Sequence, residues 1–537
     1  MGSTRDATFL TLPRVLLASA VLPPVGLLMW WLRPWPAGAA RKVLGFMGRA
    51  AISAVLAILT LVYALKLNLV FVEASGAGII PIFSFRDPKK DAEALEKHRA
   101  AQSVVASPAL AQAAAAAGPA AGATPGPQPD APPAPSAAVA AGAAGRSAVA
   151  PAAVEPWGEF RGANRDGVYA EGPILTSWPA DGLKPLWRQP AGGGYASFAI
   201  ARGKAFTIEQ RRGKEVVVAY DVATGRELWT HGWDAHFQEA MGGPGPRATP
   251  TWHAGRVYAL GAAGEFRLLE ADSGKLVWSK NILADAKTEN IMWGMSNSPL
   301  IVDDKVVVTP GGRGSSVVAY HKHSGARVWG SLDDQAAYTS PAVVTLAGQR
   351  QLIVVTASRI TGLAIADGRL LWEYPWVTMY EINSAQPIVI DANHVFVSAG
   401  YDHGSILLRI HQGDGGFTAQ RVWENKNLKN RFNSSVLHQG HLYGYDEGIL
   451  ACIVARTGER KWKGGRYGYG QALLAGSHII VLTESGELAL LKATPKSHQE
   501  VARFPAIEGK TWNHPAIAGG VLLVRNAREM AAFRIAP

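Results

Sequence analysis

The sequence predicts an all-β protein, an eight-bladed β-propeller that follows a membrane anchor and a linker. Three observations carry this prediction. A short unit, clearest at residues 219–229 (Ala-Tyr-Asp-Val-Ala-Thr-Gly-Arg-Glu-Leu-Trp), recurs through the second two-thirds of the chain. Two apolar runs lie near the N-terminus, at residues 15–32 and 50–72. A stretch rich in Ala and Pro, residues 101–150, separates these runs from the repeats.

Each copy of the recurring unit indicates a strand, a tight turn and a second strand that ends in an aromatic residue. Asp, Ser or Thr caps such a turn, and Gly supplies its positive φ. The copies recur every 40 to 50 residues or so, which is about the period of a four-stranded blade. We interpret the aromatics as structural wedges between neighbouring sheets. They are Trp187, Trp229, Trp278, Trp329, Trp372, Trp423, Trp462 and, with the ring changed, Phe504.

A second marker, a polar tetrad before each inner strand, also occurs eight times. The last tetrad is followed by only two further apolar strands, whereas Trp187 lies in a closing strand with no blade before it. We therefore expect this N-terminal strand to complete the C-terminal blade and close the ring, which removes exposed sheet edges. The tetrads are residues 195–198, 247–250, 296–299, 338–341, 384–387, 432–435, 469–472 and 512–515.

The N-terminal region, residues 1–75, is predicted to be a membrane anchor with two transmembrane helices. Each apolar run is close to the length of about 20 residues that spans a bilayer as a helix. The loop between them contains Arg33, Arg41, Lys42 and Arg49 and no acidic residue, so we expect it to be cytoplasmic and both termini to lie outside. This places the propeller on the periplasmic, extracytoplasmic side of a bacterial inner membrane. A cleaved signal peptide is the alternative interpretation of the first run.

Residues 76–156 are predicted to be a juxtamembrane segment and a disordered linker. The charged part, residues 87–99, is interpreted as a polar spacer, with a short helix at the membrane surface as the alternative. Residues 101–150 contain 22 Ala and 8 Pro and cannot form a packed core. The net charge is +11, but the basic residues do not cluster in the folded region, so nucleic-acid binding is not expected.

The folded region, residues 157–537, begins with Trp-Gly-Glu-Phe-Arg-Gly-Ala-Asn-Arg-Asp-Gly at residues 157–167. This motif and the repeats after it resemble the pyrroloquinoline-quinone-repeat propellers over the whole region. That superfamily includes an outer-membrane assembly lipoprotein as well as the quinoprotein dehydrogenases. The resemblance implies the propeller fold but no single function. If the chain is similar to the dehydrogenases in function as well, the resemblance implies a quinone, a calcium ion and a catalytic aspartate at the channel.

The mouth of the central channel, where the tetrads converge, is the predicted binding surface. Amides, hydroxyls and a guanidinium there would suit a polar or anionic ligand or a partner protein. The alternative is that Asn only tolerates the turn geometry at a strand start. Trp293 and Trp376 would either stack on a partner or pack internally. The candidates are Arg247, Trp293, Asn297, Tyr338, Asn383, Asn433, Tyr469, Asn513 and His514.

The sequence assigns no catalytic or metal-binding residue. Cys452 is the only cysteine, so neither a disulfide within the chain nor the adjacent cysteine pair of alcohol-oxidising quinoproteins is present. Glu239 and Glu381 are isolated carboxylates rather than a calcium ligand set. The long insertions that wall the cofactor in quinoproteins are almost absent.

These observations predict a non-enzymatic, protein-binding scaffold without a cofactor, acting in envelope protein assembly. The alternative is a membrane-bound dehydrogenase of alcohols or sugars that uses pyrroloquinoline quinone and calcium. A third hypothesis is a sugar- or polymer-binding module that uses the tryptophans of the channel.

Overall fold

The structure, a computed structural model, describes residues 54, 70–72, 82–84, 90–102, 157–239 and 241–537. The chain divides into two compact units, residues 1–90 and 91–537. In the first unit, β1 (Val70–Val72) pairs antiparallel with β2 (Ile82–Ser84). The apolar run at residues 15–32 lies outside the described residues, and the run at residues 50–72 ends in β1. No helix among the described residues is long and apolar enough to cross a membrane.

The second unit contains most of a helix, α1, which covers residues 90–102. The prediction of a polar spacer at residues 87–99 is therefore wrong for most of its length. Leu95 of this helix is only 4 % exposed, and several polar side chains of α1 contact strands of the propeller. One apolar residue and several polar residues on the same face are enough to dock this helix on the propeller. A pattern of so few residues is too short to be recognised in the sequence.

Eight antiparallel sheets form the propeller, and the prediction of an eight-bladed, all-β fold is confirmed. Two strands precede the first blade, β3 (Val168–Tyr169) and β4 (Pro185–Pro190). Blades 1 to 4 consist of β5–β8 (Ala199–Ala201, Lys204–Arg211, Lys214–Asp221, Glu227–Asp234), β11–β14 (Thr251–His253, Arg256–Leu260, Glu265–Glu270, Leu276–Asn281), β15–β18 (Leu300–Val302, Lys305–Val308, Val317–His321, Arg327–Ser331) and β19–β22 (Ala342–Leu346, Gln349–Val355, Arg359–Leu363, Leu370–Pro375).

The remaining blades follow the same strand order, from the inner strand to the outer one. Blades 5 to 8 consist of β23–β26 (Ile388–Asp391, His394–Ala399, Gly404–Gly413, Gly416–Asn425), β27–β30 (Val436–His438, His441–Asp446, Ile449–Val454, Arg460–Arg466), β31–β34 (Gln471–Ala475, His478–Leu482, Glu487–Lys492, Glu500–Pro505) and β35–β37 (Ala516–Ala518, Val521–Arg525, Glu529–Arg534) with β4. Short elements between blades are β9 (Gln238–Glu239), β10 (Gly243–Pro244), α2 (Ile282–Ala286) and a 3-10 turn (Met379–Glu381).

Blade 8 combines strands from the two ends of the folded region. Its outer strand, β4, pairs antiparallel with β37, and Trp187 lies opposite Ala532. β3 adds a fifth strand to blade 7 by pairing in parallel with β31. Both additions join the beginning of the folded region to its end, so the two termini of the repeat array hold each other.

The core lies between neighbouring sheets rather than inside any one of them. One apolar cluster, for example, joins Phe198 and Val218 of blade 1 to Leu523 and Phe533 of blade 8. Alternating residues of each strand face opposite neighbours. Blades 1 to 7 therefore contribute to two clusters each, and both faces of blade 8 belong to the one cluster that joins blades 7, 8 and 1.

At six of the eight joints, a tryptophan of the outer strand bonds one blade to the next. Trp229 Nε1 donates to the carbonyl of Ala271, 3.0 Å away in the following blade, and its ring covers Gly274, which has a φ of +70°. Trp372 instead donates to Gln351 of its own blade. The donor and acceptor pairs between blades are Trp187 and Val222, Trp229 and Ala271, Trp278 and Lys322, Trp329 and Ile365, Trp423 and Ala455, and Trp462 and Thr494.

Two glycine-to-alanine substitutions measure how much the contact between an outer-strand tryptophan and the next blade stabilises the fold. Gly225 and Gly213 both have positive φ. A Cβ at position 225 would lie 2.6 Å from the ring of Trp187, whereas a Cβ at position 213 has no atom within 4 Å. We expect Gly213→Ala to lower the free energy of unfolding by about 1 kcal/mol through backbone strain. Gly225→Ala should cost about 2–4 kcal/mol, because it also separates two blades. Denaturant unfolding of the purified chain gives both values, and equal losses would contradict a stabilising contact.

Candidate functional site

The first position of each tetrad lies at one end of the central channel, because all eight inner strands start there and run in the same direction. Seven of these eight side chains are half-buried, and Tyr469 is buried. Five of the eight are aromatic, and we call these five the aromatic collar. The collar consists of Tyr195, Tyr338, Phe432, Tyr469 and Trp512.

Four rings of the collar, one from each of four successive blades, contact one another. The ring centroids of Phe432 and Trp512 are 4.5 Å apart, those of Tyr195 and Trp512 5.4 Å, and those of Phe432 and Tyr469 5.6 Å. Three cations lie over the collar. Lys510 Nζ is 3.8 Å from the centroid of the Trp512 ring, Arg431 Cζ 4.6 Å from that of Tyr469, and Arg247 Cζ 5.7 Å from that of Tyr195. Such cation–π contacts hold the cations against the aromatic rings.

Arg247 and Trp293, both predicted site residues, lie beside the collar. Arg247 stacks on Phe237, with 4.5 Å from Cζ to the ring centroid, and donates to the carbonyl of Gly243 at 2.9 Å. Burial lowers the pKa of Arg247 to about 10, against the opposing effect of Tyr195 and nearby carboxylates. The ring of Trp293 is 5.7 Å from that of Tyr338.

The four predicted asparagines lie below the mouth, and none is more than 2 % exposed. Their amide nitrogens bind backbone, so these side chains hold the strand starts together. Each Oδ1 has no hydrogen-bond partner among the described residues. The amide nitrogens donate to carbonyls as follows: Asn297 to Thr309, Asn383 to Thr356, Asn433 to Gly470, and Asn513 to Gly194 and Ala196.

A relay of hydrogen bonds joins the third positions of successive tetrads. In this relay a backbone N–H of one blade donates to a side-chain oxygen of the next blade, which fixes the diameter of the channel. The pairs are Ser197 to Thr249, Thr249 to Ser298, Ser298 to Ser340, Ser340 to Gln386 and Gln386 to Ser434.

His514, the last predicted residue, is also buried. Its ring contacts the edge of Phe160, with the centroids 4.9 Å apart. Burial lowers the pKa of His514 well below its usual range, and the charge of Arg161 adds to this effect. His514 is therefore a neutral packing residue beneath the mouth.

Residues 157–167 cross the channel below the mouth, and we call this segment the plug. Arg165, which is 3 % exposed, donates to the carbonyls of Ser298 and Pro341 at 3.1 and 2.9 Å. Arg161, also 3 % exposed, donates to the carbonyl of Ser435 at 2.9 Å. These acceptors are the third and fourth tetrad residues, so the plug lies only about 7–10 Å below the mouth at the rise of a β-strand.

The plug also binds the first two blades. The carbonyl of Trp157 accepts from the N–H of Ile200, and that of Gly158 accepts from Trp252. The arginine bonds include one from Arg161 to the carbonyl of Ala472. All these bonds together reach blades 1, 2, 3, 4, 6 and 7, and Phe160 packs against His514 in blade 8. The mouth is therefore a cup with a floor and not the opening of a through-channel.

Five exposed apolar side chains stand on the loops beside the collar, and we call them the apolar ridge. They are between 43 % and 75 % exposed. The ridge adjoins the collar, because a Cβ at Gly242 would lie 3.5 Å from Trp293 and the N–H of Tyr338 donates to the carbonyl of Asn383. The ridge consists of Met241, Met292, Val377, Met379 and Tyr380.

The carboxylates of the mouth already have partners. Glu239 accepts from the N–H of Met241 at 2.8 Å, Glu447 pairs with Arg431 at 2.7 Å, and Glu484 accepts from Trp512 Nε1 at 2.9 Å. Calcium needs six to eight oxygen ligands, and this arrangement does not fit it. Within the described part of the chain, no group of three or more His, Cys, Asp or Glu residues is placed to hold a metal ion.

Eight blades around a plugged channel, with a tryptophan hydrogen bond at six of the eight joints, define the class of the protein, a closed β-propeller of quinoprotein-type repeats. A family model described as outer membrane protein assembly factor BamB matches residues 156–290 and 213–464. These matches cover more than half of the sequence, and the chain belongs to this family. The resemblance to the pyrroloquinoline-quinone-repeat superfamily is thereby confirmed.

One of the solved structures compared with this chain supports the fold. A europium-containing methanol dehydrogenase superposes with a TM-score of 0.52 and 10 % identity, over 69 % of this chain and 89 % of that one. BamB from Moraxella catarrhalis gives a TM-score of 0.49 and 15 % identity, over 66 % and 100 % of the two chains. Comparison with curated proteins gives no significant match. At 10 % identity, the likeness to the methanol dehydrogenase shows the fold alone.

Several residues of the mouth were missed from the sequence. Phe432 and Trp512 belong to tetrads but were not named as site residues, although their shared first position was a usable signal. Arg431 and Lys510 stand just before their tetrads, where no pattern marks them. Arg161 and Arg165 were seen only as part of a motif, since their acceptors are carbonyls far away in the sequence.

Removal of one plug arginine should destabilise the whole ring. We expect Arg165→Met to lower the free energy of unfolding by about 3–5 kcal/mol, because it leaves Glu159 and several buried carbonyls without their cation. The matched control is Arg369→Met, at an exposed position, which should change the stability by less than about 0.5 kcal/mol. Thermal and denaturant unfolding measure both, and a small effect at Arg165 would contradict the plug.

Proposed function

We propose that this chain is a membrane-anchored, extracytoplasmic propeller that binds other proteins and contributes to protein assembly in a bacterial envelope. The observation that carries the proposal is the apolar ridge beside the collar. Methionine and aromatic side chains enriched on one face, with arginine between them, are the composition of protein-binding hot spots. Apolar patches exposed on the surface of soluble domains mark interaction sites.

The geometry of the mouth supports binding in preference to catalysis. The collar rings stack on one another, and the carboxylates near them are held by Arg431, Trp512 and backbone N–H groups. The ridge loop at residues 376–381 is held in a specific shape, since Tyr380 and Glu381 both adopt left-handed backbone conformations. Strained conformations of this kind persist where the surroundings fix them and often mark functional loops.

The family supports the same proposal. The matching family model is described as an assembly factor, and a protein-binding propeller is consistent with that description. The two apolar runs at residues 15–32 and 50–72, with the basic loop between them, support an anchor in the inner membrane and a propeller outside the cytoplasm.

Two double substitutions test the ridge. Met292→Ser with Tyr380→Ser should reduce the amount of partner recovered with the tagged chain from cross-linked cells by about tenfold or more, as expected for hot-spot residues. The matched control is Val328→Ser with Val422→Ser, which removes apolar side chains of 45 % and 47 % exposure from outer strands. Quantitative mass spectrometry of the recovered proteins gives the comparison. Equal recovery from both double variants would contradict a partner site on the ridge.

Pyrroloquinoline quinone and calcium distinguish this proposal from a dehydrogenase. The full chain mixed with both should show no increase in melting temperature and no dye-linked oxidation of alcohols or sugars. Specific binding at a hundred times the dissociation constant would stabilise the fold by about 2.7 kcal/mol, which a thermal scan detects readily. A clear shift together with oxidation would show that the mouth is a cofactor site.

A further inference from the structure

A charged pocket lies between blades 8 and 1. Its centre is Glu209, whose side chain is fully buried. Arg211 Nη2 lies 2.5 Å from Glu209 Oε1, and Arg525 Nη2 lies 3.7 Å from Oε2. Tyr220 Oη donates to Oε1 at 2.9 Å. Glu227, at the start of the outer strand of blade 1, completes the wall. We call this site the arginine pocket.

A third arginine enters this pocket from α1. Arg99 Nη2 donates to Tyr220 Oη at 2.6 Å and to Glu209 Oε1 at 3.2 Å, and its other terminal nitrogen contacts the carboxylate of Glu227. The side chain is only 10 % exposed. A guanidinium bridges several acceptors at once, which the single ammonium of lysine cannot reproduce.

Neighbouring residues of α1 extend the contact to β4. Gln102 Nε2 donates to Gln189 Oε1 at 3.0 Å, and Gln102 Oε1 accepts from the N–H of Glu227 at 3.2 Å. His98 Nε2 also lies 3.2 Å from Gln189 Oε1. With buried Leu95, these residues follow the spacing of one helical face. The helix thus covers part of the free edge of β8, an edge that otherwise invites pairing with another chain.

We propose that the arginine pocket is a docking site for an arginine-bearing helix and that α1 of the same chain occupies it in cis. Charge complementarity favours such an occupant, since two carboxylates face two resident arginines and accept a third. Burial alone would raise the pKa of Glu209, but Arg211, Arg99 and Arg525 outweigh it and lower that pKa. The carboxylate therefore stays ionised and keeps its attraction for a guanidinium.

Covalent connection favours α1 over a second copy or another protein. Residues 103–156 join the helix to the propeller, so docking is a unimolecular event at an effective concentration on the order of millimolar. The docked helix binds Gln189, which in turn donates to the carbonyl of Gly225 at 2.8 Å. It therefore reinforces the joint between blades 8 and 1. This inference does not depend on the partner proposed for the apolar ridge.

Cross-linking of the full chain tests the docking. Ala101→Cys and Arg226→Cys place exposed thiols beside the contact without removing any of its hydrogen bonds, and the native Cys452 is buried. A short bifunctional maleimide should join them within one chain, giving a product of monomer mass. Ala101→Cys with Asp367→Cys, at a turn of blade 4, is the matched control pair and should give no such product.

Arg99→Ala in the first pair should reduce the yield by about tenfold, as expected when a charge-assisted contact is lost. Lys97→Ala, an exposed residue of the same helix, should leave the yield unchanged. Three results would overturn the proposal: a yield no higher than that of the control pair, equal yields for the Arg99 and Lys97 variants, or a product of dimer mass alone. The last result would make a second copy the occupant.

Discussion

The propeller depends on one contact, in which an outer-strand indole docks on the turn of the next blade. The indole N–H satisfies a turn carbonyl, and the ring lies against a glycine that has no room for a Cβ, as for Trp329 and Gly368. A single sheet cannot bury both of its faces alone, so the contact fixes the angle at which the next sheet covers it. At the last joint Phe504 lacks an N–H, yet its ring still packs against Gly182.

The plug solves a different problem, which is the channel that eight blades leave at their centre. Inner strands there present carbonyls that no neighbouring strand satisfies. Arg161 and Arg165 supply several donors each and reach carbonyls of four blades. Gly167 is required beside them, since a Cβ there would lie 2.5 Å from the Arg161 guanidinium. The motif at residues 157–167 therefore closes the floor of the cup, which leaves the collar as the accessible end.

How far the sequence predicts this protein depends on how local each determinant is. The eight blades follow from residues within one turn of each other, such as Gly225 and Trp229, and they could be counted without a structure. The mouth could be predicted as a region. The burial of Asn433 and Asn513 could not be predicted, because an amide that bonds to a strand start looks the same in the sequence as one that faces a ligand. Docking of Arg99 was unpredictable, since its acceptors lie more than a hundred residues away.

The contact between an outer-strand tryptophan and the next blade is missing between blades 4 and 5, and three of the five residues of the apolar ridge lie there. In blade 5 the two outer strands are ten residues long and end in a Gly413–Gly416 turn, so no turn is in position to receive Trp372. Its indole bonds to Gln351 instead, and strand β22 contacts strand β26 of blade 5 directly. The loop that follows β22 carries Val377, Met379 and Tyr380. Stacking on the neighbouring blades constrains the structure of each regular repeat. A functional surface therefore forms most easily where the repeat is interrupted.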